Sequence, residues 1–172
     1  MKTKKLLILL TCFPDCGSRL LRLLTGAEFT HASIGLEEDR DTFYSFICKG
    51  FAVEKMTRYA RMHVKHQPCR LYELDVPCSV YEQVRRLLQL FRDNRQTLRY
   101  SHLGVAACVL HIPFRRRYRY FCSQFVADIL KHSRALRLSK DSALYLPDDL
   151  KALPGASLCF EGSLGTLGNS LT

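Results

Sequence analysis

A short, uninterrupted apolar run near the start of the chain constrains the fold most strongly. Residues Leu6–Leu10 read LLILL and lie between two lysines and Thr11. Such a short run, bounded by polar residues, is typical of a buried β-strand, and we predict a strand over Lys5–Thr11. A secretory signal peptide is the alternative, but no small-x-small cleavage site follows the run. The run is too short to cross a bilayer, because a transmembrane helix needs about 20 apolar residues.

The composition predicts a single folded domain. The chain has 172 residues, of which 47% are hydrophobic and 24% are charged, and this length suffices for one domain with its own apolar core. We predict one domain over residues 1–172, with residues 162–172 as a frayed tail. The formal net charge of +10 favours acidic partners such as anionic lipid headgroups, cell-wall polyanions or nucleic acid.

Eight cysteines are scattered along the chain without a CxxC pair. In a secreted protein they could form disulfide bonds, but a chain of this size folds without such cross-links. Most of them stand among apolar residues, where a free cysteine packs as a small hydrophobic side chain. We therefore predict reduced cysteines and a cytoplasmic location, with peripheral membrane attachment as the alternative. The cysteines are Cys12, Cys16, Cys48, Cys69, Cys78, Cys108, Cys122 and Cys159.

The order of the elements predicts an α+β fold with an antiparallel sheet packed against helices. Strands over Phe29–Leu36 and Thr42–Cys48 flank the charged turn EEDRD. The segment 54–69 is basic and irregular. Ser79 and Glu82 match a capping box at the start of a helix. The whole chain reads β-α-β-β-β-α-α-α-β, an order that largely segregates strands from helices.

One cysteine stands where a thiol could become a nucleophile. Cys122 follows two aromatic residues in RYFCSQFVADIL, at the predicted first turn of a helix. A helix N-terminus stabilises a thiolate through its dipole, and a nearby histidine can accept the proton. His31 could be that histidine, because small Ser33 and Gly35 on the same strand leave room for a helix. The structural alternative for Cys122 is a buried core cysteine, which is common.

The two motifs together resemble the circularly permuted papain-like fold, in its YiiX/YycO-like branch. FTHASIGL, then FYSF, then YFCSQFVADIL follow the order of that group, in which a histidine on an early strand precedes a cysteine on a later helix. The group is related to NlpC-type cell-wall peptidases and to lecithin–retinol acyltransferase. The resemblance covers Lys5–Gly162 and includes the opening strand and the helix after it.

The resemblance implies roles for individual residues. Cys122 matches the nucleophile, and its backbone N–H would donate to the oxyanion. His31 matches the general base, which returns its proton to the leaving group. The third residue, which orients the imidazole, falls on Ser45, where related branches have Glu or His; a hydroxyl stabilises an imidazolium less than a carboxylate does. The residues expected to line the substrate site are Tyr120, Tyr44 and Ser123.

The activity implied by the resemblance is that of a cysteine-dependent hydrolase that forms an acyl-enzyme. It would act as an amidase or peptidase on a cell-wall peptide fragment, or as an acyl-ester hydrolase on a lipid, and it would need no cofactor. A lipid acyltransferase is one alternative. A non-catalytic binding module on the same fold is the other, and the neutral Ser45 favours it.

A histidine-containing segment offers a second set of candidate ligands. His63, His66 and Cys69 in HVKHQPC could bind a metal. A zinc site needs a fourth ligand or a water, and nothing nearby in the sequence completes the set. We therefore assign no metal site and interpret the segment as a basic surface loop.

An arginine-rich segment, FRRRYRY, precedes Cys122. It could attract an anionic substrate or a membrane surface toward the site, or form a solvated charged edge. Nucleic acid is the less favoured partner. The arginines of this segment are Arg115, Arg116, Arg117 and Arg119.

Overall fold

A central antiparallel sheet organises the protein. A computed structural model describes residues 2–13 and 16–171, apart from the side chains of residues 16–20. The strands of the main sheet are β1 Thr3–Thr11, β2 His31–Leu36, β3 Asp39–Ile47, β4 Gly50–Lys55, β5 Pro68–Pro77 and β8 Ala156–Ser163. Their order is β4-β3-β2-β1-β5-β8, and every neighbouring pair is antiparallel. Two short strands, β6 Arg99–Tyr100 and β7 Arg119–Tyr120, form a separate parallel pair.

Helices pack on both faces of the main sheet. The α-helices are α1 Cys16–Thr25, α2 Met56–Tyr59, α3 Cys78–Asp93, α4 His102–Val109, α5 Cys122–His132 and α6 Leu164–Asn169, and 3-10 helices span His63–His66, Ser142–Leu144 and Pro147–Ala152. The larger core lies between the sheet and α3 and α5, and a smaller core lies on the other face beneath α2 and α6. The predicted α+β class with an antiparallel sheet is confirmed. Among the described residues, no helix is long and apolar enough to span a bilayer.

β1 lies near the centre of the sheet because its apolar residues are buried on both faces. Leu6, Ile8 and Leu10 contribute to the larger core. Leu7 and Leu9 alternate with them and contribute to the smaller core. A strand covered on both faces requires a continuous apolar sequence, and the predicted strand is therefore confirmed.

β4 lies partly in the segment that the sequence indicates to be irregular. The strand pairs with β3 along its whole length, from Ile47 opposite Gly50 to Thr42 opposite Lys55. Gly50 has a φ of +108°, and a Cβ atom there would lie 2.6 Å from the Leu98 carbonyl oxygen. Glycine is therefore required where the chain turns back to form this strand.

The capping box predicted for α3 does not form. The helix begins at Cys78, directly after Pro77, so Ser79 lies inside the first turn and is not the N-cap. Glu82 instead forms an ion pair with Arg85, with an N–O distance of 2.6 Å. The helix start is thus two residues earlier than the motif indicates, because Pro77 and not Ser79 is the N-cap.

The segment predicted as a frayed tail, residues 162–172, contains an ordered helix among its described residues. Leu164 and Leu167 of α6 are buried in the smaller core. Gly168 lies so close to the Met56 carbonyl oxygen that no side chain fits there. The expectation of a frayed tail is wrong for α6, because these two leucines cover apolar surface on the back of the sheet.

Candidate active site

Cys122 is the first residue of α5, and its side chain is only 4% exposed. The preceding strand β7 is held to β6 by the Ser101 N–H, which donates to the Tyr120 carbonyl oxygen at 2.9 Å. Phe121 then has extended backbone angles, and no side chain among the described residues caps the helix. The thiol of Cys122 lies 3.9 Å from the Thr30 carbonyl oxygen. The predicted helix start is confirmed, and its free N–H groups surround the cysteine.

His31 begins β2 and lies beside this thiol. Its backbone pairs with Thr11 in β1. The ring contacts Phe13, with the two ring centroids 5.0 Å apart, and the residue is 5% exposed. The Cys122 side chain lies close enough to the ring to contribute to raising the pKa of His31. The fold therefore brings together the two residues that the sequence pairs.

A buried carboxylate completes the group of contacts. Nε2 of His31 lies 2.8 Å from Oε1 of Glu54, and both side chains are buried. Ser45 Oγ donates to the same carboxylate oxygen at 2.5 Å. The role expected of Ser45, a direct hydrogen bond to the imidazole, is thus taken by Glu54 on the next strand. Ser45 contacts the carboxylate instead.

The neighbouring side chains of Glu54 and Cys122 determine the protonation state of His31. Burial alone lowers its pKa, but the Glu54 carboxylate and the Cys122 side chain outweigh this effect and raise the pKa to about 10. The imidazole is therefore protonated at neutral pH. Nε2 faces Glu54, which leaves Nδ1 as the ring nitrogen for the thiol. An imidazolium in this position stabilises a thiolate by charge.

The position of Glu54 beside His31 could be predicted from the sequence only by assuming the register in which β3 pairs with β4. Residues on one face of a strand alternate, and Ser45 and Phe43 share a face of β3. Phe43 lies opposite Glu54, and Ser45 lies opposite Ala52. If Gly50 is interpreted as the start of a returning strand, this pairing places Glu54 beside Ser45 on the His31 face. The residue that contacts the imidazole is therefore the acidic Glu54 and not the neutral Ser45, whose neutrality favoured a binding module.

The residues expected to line the substrate site lie mainly in the core. The Tyr120 ring packs against Phe46, with centroids 5.2 Å apart. Tyr44 stacks on Phe51 at 6.2 Å, on the face of β3 opposite Ser45. Ser123 is fully buried, and its hydroxyl has no hydrogen-bond partner among the described residues. The two tyrosines are therefore partly buried residues that pack against the larger core.

The arginine-rich segment is partly neutralised inside the protein. Arg115 binds the buried carboxylate of Asp128, at 3.2 Å, and that of Asp141, at 2.9 Å. It is therefore a structural cation, which corrects its assignment to an anion-attracting surface. Arg119 donates to the Tyr100 carbonyl oxygen at 3.4 Å. Arg116 and Arg117 are exposed.

The three potential metal ligands of the histidine-containing segment lie in different environments. His63 and His66 are exposed on a 3-10 helix, whereas Cys69 is buried in the smaller core. Burial raises the pKa of the Cys69 thiol to about 12. Within residues 2–13 and 16–171, no group of three His, Cys, Asp or Glu side chains could hold a metal ion.

Comparison with known proteins identifies the fold. No family model matches the chain, and no curated protein matches it significantly. Among solved structures, the protein is similar to the metalloprotein YiiX of Escherichia coli O157:H7, DUF1105, with a TM-score of 0.65 and 10% sequence identity. The similarity covers 94% of this chain and 98% of YiiX. The chain therefore has a YiiX-like α+β fold, as the order of its histidine and cysteine motifs predicts.

Proposed function

We propose that the protein is a cysteine-dependent hydrolase or acyl-transfer enzyme. The observation that supports this most directly is the series of contacts from Glu54 to His31 to Cys122. The three residues have the chemistry of an orienting acid, a general base and a nucleophile. Their burial strengthens the electrostatic coupling between them, because little water screens the charges.

The reaction would proceed through a thioester. The Cys122 thiolate attacks the carbonyl carbon of an amide or ester, and a C–S bond forms. The His31 imidazolium donates its proton to the leaving amine or alcohol as the C–N or C–O bond breaks. Water then gives a proton to His31 and attacks the thioester, which releases the carboxylic acid and restores the thiolate. An alcohol or amine in place of water would give acyl transfer.

The start of α5 would stabilise the tetrahedral intermediates. The backbone N–H of Cys122 is at the first position of the helix, where it has no intrahelical acceptor. Such an N–H can donate to an oxyanion on the attacked carbonyl. Glu54 would hold the imidazolium in place while the charge develops. Each residue therefore has one role in the reaction.

The substrate class rests on the resemblance to related enzymes. Kinship with NlpC-type peptidases supports an amide in a cell-wall peptide fragment. Kinship with lecithin–retinol acyltransferase supports a lipid ester. Both substrates carry the acyl carbonyl that the mechanism requires.

An electrophilic acyl probe tests the proposal. The exposed Cys48 and Cys159 are first replaced by Ser, because exposed thiols react regardless of activation. In this background we expect one adduct, mapped to Cys122 by peptide mass spectrometry. The Cys122→Ala variant should lose both the adduct and any hydrolysis of acyl substrates.

Cys108 provides the matched control, because it is also a buried cysteine. The Cys108→Ala variant should keep the adduct at Cys122. Equal labelling and hydrolysis in the Cys122→Ala variant would show that the proposal is wrong.

A further inference from the structure

The segment around α4 has a strongly asymmetric charge. Residues 94–127 contain six arginines and neither Asp nor Glu. Arg115 is neutralised by Asp128 and Asp141. No ion pair to Arg116 or Arg117 exists among the described residues. This part of the surface therefore presents net positive charge to the solvent.

The same segment exposes large aliphatic side chains. Leu103 and Leu110 are 63% and 69% exposed, and Ile112 is 54% exposed. Leu103 and Leu110 are seven positions apart, so they lie two turns apart on one side of α4 and its end. Such neighbouring aliphatic residues are unusual on a surface that contacts only water.

The loop after α4 is held in a defined conformation. The Ile112 N–H donates to the Ala107 carbonyl oxygen at 2.8 Å, and His111 has a φ of +59°. Tyr118, at the other end of the loop, has a φ of +60°. Left-handed backbone is costly for such residues and persists only where surrounding contacts impose it. Arg115 supplies such contacts by tying the loop to α5.

We propose that this surface binds a lipid bilayer with anionic headgroups. The docking surface consists of Leu103, Leu110, Ile112, Arg116 and Arg117. Aliphatic side chains enter the boundary between headgroups and acyl chains, and the arginines bind lipid phosphates. Nucleic acid would use the arginines but would not cover protruding leucine and isoleucine side chains. A bilayer is favoured because exposed aliphatic side chains and arginines without ion pairs occur on the same segment.

The docking surface is adjacent to the candidate active site. Gly104 in α4 faces the Phe121 ring so closely that a Cβ would lie 3.1 Å from it. The backbone N–H of Ser101, just before α4, donates a hydrogen bond to the Tyr120 carbonyl oxygen. Docking would therefore bring the start of α5 close to the headgroup layer. Binding itself does not depend on chemistry at Cys122.

Vesicle co-sedimentation tests the docking surface. The Cys122→Ala protein is mixed with vesicles of phosphatidylcholine alone or with added phosphatidylglycerol, so a failure of the proposed enzymatic function cannot affect the result. We expect binding to the anionic vesicles, weakened by salt. Arg116→Gln with Arg117→Gln should lower affinity about 25-fold, at about fivefold for each arginine. Leu110→Ser with Ile112→Ser should lower it about tenfold or more.

A matched variant on α3 controls for general surface effects. Leu90 and Arg86 are also exposed, and Leu90→Ser with Arg86→Gln should bind vesicles like the parent protein. The proposal is overturned if the parent protein does not bind anionic vesicles, or if the control variant weakens binding equally. It is also overturned if an oligonucleotide binds more tightly than the vesicles and the Leu110 and Ile112 changes have no effect.

Discussion

Glu54 and Ser45 differ in their distance from the reacting atoms, and their variants should differ accordingly. Glu54→Gln keeps a hydrogen-bond acceptor for His31 but removes the charge that stabilises the imidazolium. We expect the rate of Cys122 acylation by the probe to fall about a hundredfold. Ser45→Ala removes only one hydrogen bond to the carboxylate, and a fall of about tenfold is expected. The second-order labelling rate measures both effects.

The order of the two effects is the decisive result. A larger loss in Ser45→Ala than in Glu54→Gln would return Ser45 to the direct role that the sequence indicates. Denaturation curves of both variants are the control, because a folding defect would lower both rates through loss of native protein.

Among the individual site residues, the sequence identifies those that belong to a local motif. His31 is found from the resemblance of its motif to the permuted papain-like group, and Cys122 from the same resemblance and from its place at a helix start. Glu54 has no local motif, since its role comes from pairing between β3 and β4. Long-range register depends on turn geometry, which the residues around Cys48 indicate only weakly.

The hairpin of β3 and β4 depends on Gly50 for its geometry. Alanine at this position would have an unfavourable positive φ and would contact the Leu98 carbonyl oxygen. We expect Gly50→Ala to lower the free energy of unfolding by about 3 kcal/mol, from backbone strain and overpacking together. Urea denaturation followed by circular dichroism measures the change.

Gly26 separates the two causes. It also has a positive φ, +68°, but a Cβ atom added there would meet no atom of the described residues within 4 Å. Gly26→Ala should therefore cost only the backbone strain, about 1 kcal/mol. Equal destabilisation by the two variants would contradict the contact with Leu98.

Elements with strong local patterns are predictable from the sequence, and elements stabilised by tertiary contacts are not. β1 follows from its apolar run, and α5 from the helical spacing of its apolar residues. α6 is missed because its sequence, LGTLGN, contains two glycines, which disfavour a helix. Burial of Leu164 and Leu167 overrides that preference.

The protonation of His31 makes the stability of the whole molecule depend on pH. Its pKa is raised from 6.5 to about 10 in the folded protein. The folded state therefore binds more protons than the unfolded state between these values, and the stabilisation is complete below pH 6.5 and lost as pH rises toward 10. The slope is at most about 1.4 kcal/mol per pH unit.

The measurement compares Cys122→Ala with the same variant carrying Glu54→Gln, because removing the thiol excludes its ionisation. Between pH 6.5 and 9, the free energy of unfolding should fall in the first protein and stay level in the second. Above pH 9.0 the buried Cys69 and Cys108, whose pKa values are also raised by burial, add to the fall in both. Parallel slopes below pH 9 would show that Glu54 does not set the charge of His31.

The candidate site takes its residues from β2, β4 and α5, and Cys122 follows Thr30 by 92 residues in the chain. Contacts between residues so far apart form only after a large loop has closed. During synthesis, the histidine and the acid emerge from the ribosome long before the cysteine does. The nascent chain therefore lacks the proposed group of Glu54, His31 and Cys122 until α5 has been made and has packed on the sheet. The proposed activation of Cys122 therefore cannot precede the packing of α5 against His31.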